Sequence, residues 1–259
     1  VDRKNKHDDL RGTGWTRIAP LPALTALYGC EGVQSTLDPR GRAAELIAQS
    51  HWIMLAGAIL ILVLVTAMAL YAVYRDPERR VTVSPKALLL GGGLVFPVVV
   101  LSALLVYGLS LMGELRAPHG TESALELRVV ARQWSWQVHY PEKTAGHAIV
   151  LENELRIPAG RPVRLNLVSE DVIHSFWVPS LAGKMDVIPG HRRQITIQAD
   201  RPGRLRGQCA EFCGREHAHM SLLVLVEPAE AFDAWLAGTS EAPSGHDDSP
   251  RSTASRMDR

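Results

Sequence analysis

The chain has 259 residues, with 28 Lys and Arg against 27 Asp and Glu and a net charge of +1 at pH 7. That balance excludes the strongly basic surface on which nucleic-acid binding depends, so no nucleic-acid partner is expected. At 46% hydrophobic residues the chain is too apolar to be disordered throughout, and it is long enough to bury a core.

Residues 1–30 read as a leader. A modest apolar stretch ends in Leu27-Tyr28-Gly29-Cys30, which resembles a lipoprotein processing box. Cys30 is then either the lipid-bearing residue of a mature form or a free thiol in an uncleaved arm. Residues 31–50 form an external lead-in segment. From 51 to 112 the pattern predicts a transmembrane helical hairpin. Its two apolar runs, 51–74 and 87–112, have no charge in their interiors, and about 20 residues suffice to cross a hydrocarbon core. Gly91-Gly92-Gly93 and Pro97 are expected to loosen or kink the second helix. The link between the runs sets Arg75, Arg79, Arg80 and Lys86 against Asp76 and Glu78. The positive-inside rule puts such a link in the cytoplasm and both outer ends of the hairpin outside.

Residues 115–228 read as strands. Apolar residues alternate in Leu125-Glu126-Leu127-Arg128-Val129, Val163-Arg164-Leu165-Asn166-Leu167, Arg193-Gln194-Ile195-Thr196-Ile197 and Leu222-Leu223-Val224, with Pro/Gly punctuation between them. Many short strands of this kind predict an all-β sandwich, best fitted by a cupredoxin-like Greek key. Trp134 and Trp136 stand at i, i+2, which in a strand puts both on one inward face. Residues 229–259 are expected to be a terminal segment, with a disordered tail from Gly238 onward that is rich in Ser, Pro, Asp and Arg.

One loop carries the chemistry. Between Gly207 and Met220 the chain sets Cys209, Cys213, His217 and Met220 in the spacing Cys-x3-Cys-x3-His-x2-Met. This is neither the Cys-x2-Cys of zinc ribbons nor the Cys-x-x-Cys-His of attached haem. A thioether beside thiols and imidazole favours a soft, redox-active copper over zinc. His174, at the end of a predicted strand and framed by aromatics, is the candidate for a distant fourth ligand. Gly207 and Gly214 bracket the loop, either to give the backbone room around a metal or as ordinary turn residues. A disulfide between the cysteines is the alternative to a metal, and a one-copper site would leave Cys209 superfluous.

The run DVIHSFWVPSLAGKMDVIPG, followed by GQCAEFCG and then His217 and Met220, resembles subunit II of the haem-copper cytochrome c oxidases. The likeness extends from about residue 34 to 237. It implies a binuclear copper centre, CuA, in a cupredoxin domain outside the bacterial cell membrane. By that resemblance Cys209 and Cys213 would bridge two coppers. His174 and Met220 would complete one, and His217 with the Glu211 carbonyl the other. His219 has no ligand role in the family pattern. Trp134 would be the surface ring that accepts electrons from cytochrome c, which reverses the inward reading. Glu152, Glu154, Asp171 and Asp186 are candidates for steering a basic donor. The Glu211 carboxylate would reach a magnesium shared with the catalytic subunit, or make a hydrogen bond across that interface. The implied partners are the catalytic haem-copper subunit I, subunit III, cytochrome c and the lipid bilayer, with no haem in this chain. Some bacterial members carry a lipoprotein box. Many have a glutamate near the start of the second helix, where this chain has Ser84-Pro85-Lys86-Ala87, so proton pumping is not implied. A quinol oxidase subunit or a membrane copper carrier are the alternatives.

Overall fold

The computed structural model describes residues 32–81, 83–116, 124–141 and 149–238. The leader with Cys30 and the tail from 239 lie outside them.

Helix α1 (Arg42–Tyr74) starts upstream of the predicted residue 51. Its first turns are not membrane-like. Ala44, Leu46 and Ala48 are buried, whereas the residues from His51 onward are nearly all exposed. The early turns therefore belong to the outer domain, and hydropathy alone registers only the later ones. The second span opens with α2 (Pro85–Ala87), widens to a π-helix over Leu88–Val95 and continues as α3 (Phe96–Arg116). The expected kink is thus a change of helical pitch. Pro97 has no N–H to give the Gly93 carbonyl, and just before it Phe96 N–H reaches back to the Gly91 carbonyl, the i→i−5 pattern of a π-turn. Both spans are long and apolar enough to cross a membrane, and neither is buried within the protein.

The outer domain is a sandwich of two five-stranded sheets among the described residues. One sheet runs β3-β2-β1-β5-β8 and the other β4-β10-β9-β6-β7. The strands are β1 (Leu125–Arg132), β2 (Ser135–Tyr140), β3 (Ile149–Glu152), β4 (Glu154–Pro158), β5 (Val163–Ser169), β6 (His174–Trp177), β7 (Met185–Val187), β8 (Arg193–Ile197), β9 (Gly203–Cys209) and β10 (Ser221–Glu227). Pairing is mostly antiparallel, with parallel joins of β1 to β5 and β4 to β10. Alternation sends Leu127, Val129, Leu165, Leu167, Leu222 and Val224 into the shared core, where Trp136 and Phe176 meet edge to face at 5.6 Å.

The terminal segment is structured at its start. Helix α4 (Ala229–Leu236) closes one end of the sandwich by burying Phe232 and Leu236. Beside it, Arg156 is buried against Glu154 at 2.7 Å and under the Trp235 ring. A strap before α1 runs along β9, where Arg206 N–H donates to the Val33 carbonyl at 2.9 Å. Arg40 N–H then donates to the Ser180 carbonyl at 2.7 Å and Ala44 N–H to the Leu181 carbonyl at 3.2 Å. These bonds join hairpin to sandwich.

Candidate metal centre

The sandwich brings together at one end the loops that the sequence keeps 35 positions apart. His174 opens β6 and is fully buried. Cys209 ends β9 directly opposite Phe176 of β6. Beyond it the chain turns through Cys213, makes a short 3-10 turn at His217–His219 and returns as β10. Cys209 N–H donates to the Met220 carbonyl at 3.0 Å, and Ala210 N–H to the Ser175 carbonyl at 2.9 Å. These two bonds close the loop at its neck.

Inside, the Cys209 and Cys213 Sγ atoms stand 3.8 Å apart. His174 Nδ1 is 3.8 Å from Cys209 Sγ, and His217 Nδ1 is 3.5 Å from Cys213 Sγ. Met220 Sδ is 3.7 Å from Cys213 Sγ, and the Glu211 carbonyl is 3.2 Å from Cys209 Sγ. The structure therefore gathers the other four sequence-derived ligand candidates around the Cys209 and Cys213 sulfurs. The thiols form no disulfide and stand at nearly twice the length of about 2.05 Å that one requires. The His174, Cys209 and Cys213 donor atoms lie within 4.8 Å of one another, a grouping suited to a metal ion. His219 points away, with its side chain exposed and bonded to Glu216 at 2.9 Å.

The electrostatics of the pair favour a cation. Burial pushes the Cys209 thiol up, but hydrogen bonds from His174, from the backbone at Glu211 and Ser175, and from Cys213 outweigh it and bring it down to about 6. Cys213 is pushed up to about 12 by burial and by the Cys209 charge beside it. One thiolate forms readily, and the second needs a positive ion between them. His174 is disfavoured as a cation by burial, yet its bonds to Cys209 and Asp171 raise its pKa overall.

Both loop glycines sit in tight surroundings, and Gly214 also has a backbone conformation that side chains rarely adopt. Gly214 has φ +124°, and a Cβ there would lie 3.0 Å from Gln133 Nε2 and 3.2 Å from the Trp134 ring. A Cβ on Gly207 would lie 3.0 Å from the Trp177 carbonyl oxygen.

Trp136 lies within the core, whereas Trp134 packs against it only in part. Trp134 sits in the turn between β1 and β2, half-buried, and its indole N–H donates to the Cys213 carbonyl at 3.3 Å. Trp136 is the second residue of β2 and buried, with its ring 6.1 Å from that of His174. The strand starts at Ser135, so the i, i+2 rule fails for this pair.

Three of the four candidate docking acids are engaged. Asp171 holds His174 at 2.8 Å, Asp186 accepts from Ser175 and Lys184 at 2.8 Å each, and Glu154 pairs with Arg156. Glu152 is exposed on β3. Gln133 escaped sequence reasoning altogether: its Nε2 donates to the Cys213 carbonyl at 2.8 Å. Nothing in a lone glutamine signals that contact. Asp171 carried a local signal, because Asp-x-x-His puts a carboxylate within reach of an imidazole.

The chain is similar to known proteins. Residues 142–227 match the family described as cytochrome c oxidase subunit II, periplasmic domain. Cytochrome c oxidase subunit 2 of Alkalihalophilus pseudofirmus is 32% identical, over 87% of this chain and 68% of that one. The Synechocystis sp. protein of the same name is 39% identical over 43% of this chain and 32% of its own length. Among solved structures, the periplasmic domain of subunit II of cytochrome oxidase of Bradyrhizobium japonicum aligns at 27% identity with a TM-score of 0.41, covering 44% of this chain and 92% of that one. With sequence similarity that takes in most of the chain and two thirds of a relative, the chain belongs to the cytochrome c oxidase subunit II family.

Proposed function

We propose that this chain accepts electrons from cytochrome c at a binuclear copper centre and passes them to the haem of a catalytic partner subunit, where oxygen is reduced to water. The observation that carries the reading is the buried pair of thiols 3.8 Å apart, flanked by two imidazoles, a thioether and a carbonyl. Such a donor set suits two copper ions and gives zinc no reason for its methionine. When bound, a thiolate-bridged pair supplies a one-electron store whose bond lengths change little.

The chain's own residues do the rest. Cys209 and Cys213 would bridge as thiolates. His174 and Met220 would serve one ion, and His217 and the Glu211 carbonyl the other. Loops anchored at β6, β9 and β10 fix where these donors stand, and a rigid frame of that kind would keep reorganisation small. Trp134, bonded to the Cys213 carbonyl, offers a donor protein a ring in direct contact with a ligand's backbone. The Glu211 side chain is exposed and is the ligand this chain would offer a magnesium shared with the catalytic subunit. The remaining oxygens would have to come from that partner or from water. The two apolar spans would anchor the sandwich on the outer side of a bacterial cell membrane, with the basic link in the cytoplasm.

The test uses the full chain in detergent, loaded with copper. Two coppers per chain, near-infrared absorption and the multiline EPR signal of a mixed-valence pair are expected, with reduction by ferrocytochrome c. Cys209→Ser and Cys213→Ser should each abolish the multiline signal. One copper or none per wild-type chain, or reduction by quinol but not by cytochrome c, defeats the proposal. Copper that binds and leaves without cycling an electron would instead identify a carrier.

A further inference from the structure

Asp171 lies behind a ligand rather than on a docking surface. Its Oδ1 accepts from His174 Nε2 at 2.8 Å, while His174 Nδ1, across the ring, faces Cys209 Sγ at 3.8 Å. A proton held on Nε2 by a carboxylate leaves Nδ1 with its lone pair directed at the metal position. The carboxylate is itself immobilised. Oδ1 also accepts from Val172 N–H and Oδ2 from Gln133 N–H, both at 2.6 Å. Asp171 N–H donates to Ser169 Oγ at 3.3 Å.

The bond to Gln133 extends the effect. Gln133 Nε2 and Trp134 Nε1 both donate to the Cys213 carbonyl. A continuous path therefore runs from His174 through Asp171 and the β1–β2 turn to Cys213. Two loops that supply ligands are tied together by the turn that carries the half-buried Trp134 ring.

We propose that Asp171 is a positioning residue of the metal centre, which fixes the tautomer and direction of His174 and locks the Trp134 turn against the ligand loops. The proposal rests on the copper reading above. A fixed anion behind the imidazole makes it a stronger donor and favours the more oxidised, more positive centre.

The test compares the copper-loaded full chain in detergent with Asp171→Asn and Asp171→Ala. Asp171→Asn keeps the size and an acceptor oxygen but loses the charge. It is expected to retain copper, shift the EPR and near-infrared signals and raise the reduction potential. Asp171→Ala is expected to lose copper to a chelator about 10–100-fold more readily. Both effects are read with no donor protein present, so a docking role would not produce them. Unchanged signals, potential and copper retention in both variants, with only the salt dependence of cytochrome c oxidation altered, would make Asp171 a surface steering charge and overturn the proposal. If Asp171→Ala does not fold, the Asp171→Asn potential decides alone. A wild-type chain that holds no copper pair overturns the reading of the site and this proposal with it.

Discussion

Gly214 shows how tightly single residues constrain the loop. Its φ of +124° and the Trp134 ring 3.2 Å from a would-be Cβ make any side chain there strained and tightly placed. Gly214→Ala should destabilise the domain by about 1–3 kcal/mol and loosen copper binding, read by thermal melts and chelator competition. The thiols make a second prediction at this scale. In the metal-free chain Cys209 sits at about 6, below the unfolded value of about 8.5. Its contribution is therefore full above about 8.5 and is lost as pH falls through about 6. Cys213, raised to about 12, stays protonated in the fold while the unfolded thiol ionises, so stability falls again above about 8.5. Melts across pH should peak near that value, and Cys209→Ser should flatten the acid side. The ligand types and their spacing were legible in the sequence, because soft donors are rare and clustered here. The orientation of Asp171 was not, because whether an acid faces solvent or an imidazole depends on where the chain turns.

Among the elements, the strands were the most readable. Period-two alternation marked β1, β5, β8 and β10 because one face of each meets the core. Helix α4 escaped notice, since Ala229 to Leu236 follows the last strand in a terminal segment to which the sequence assigns no element. It is nonetheless part of the core: Phe232 is 0% exposed and its ring packs 5.6 Å from Trp235. Phe232→Ala should cost about 3–5 kcal/mol, lower the melting temperature and expose the chain after Glu227 to protease. A wild-type melting temperature would make α4 an ornament. The early start of α1 was hidden for a related reason. Ala44, Leu46 and Ala48 are buried by contact with the sandwich, and a hydropathy window reads only the lipid-facing stretch that follows.

For the molecule as a whole, two apolar spans left exposed among the described residues suit a bilayer or partner helices, and in the proposed topology the link's charge would set the direction. Replacing Arg75, Arg79 and Arg80 with Glu should reduce or invert outward delivery of the sandwich, measured by impermeant labelling of a cysteine introduced on the exposed β3 surface in intact cells. Unchanged labelling would mean that the link does not set orientation. By itself the sequence determined the membrane hairpin, the sandwich and the copper-type donor set. Each of these follows from local composition and period, which act over a few residues. Only the tertiary structure decided that His174 reaches Cys209, that Trp134 parts from Trp136, and that Asp171 serves a ligand. Those are contacts across 35 or more positions, or across a turn, and they exist only once two sheets have packed and fixed where each loop ends.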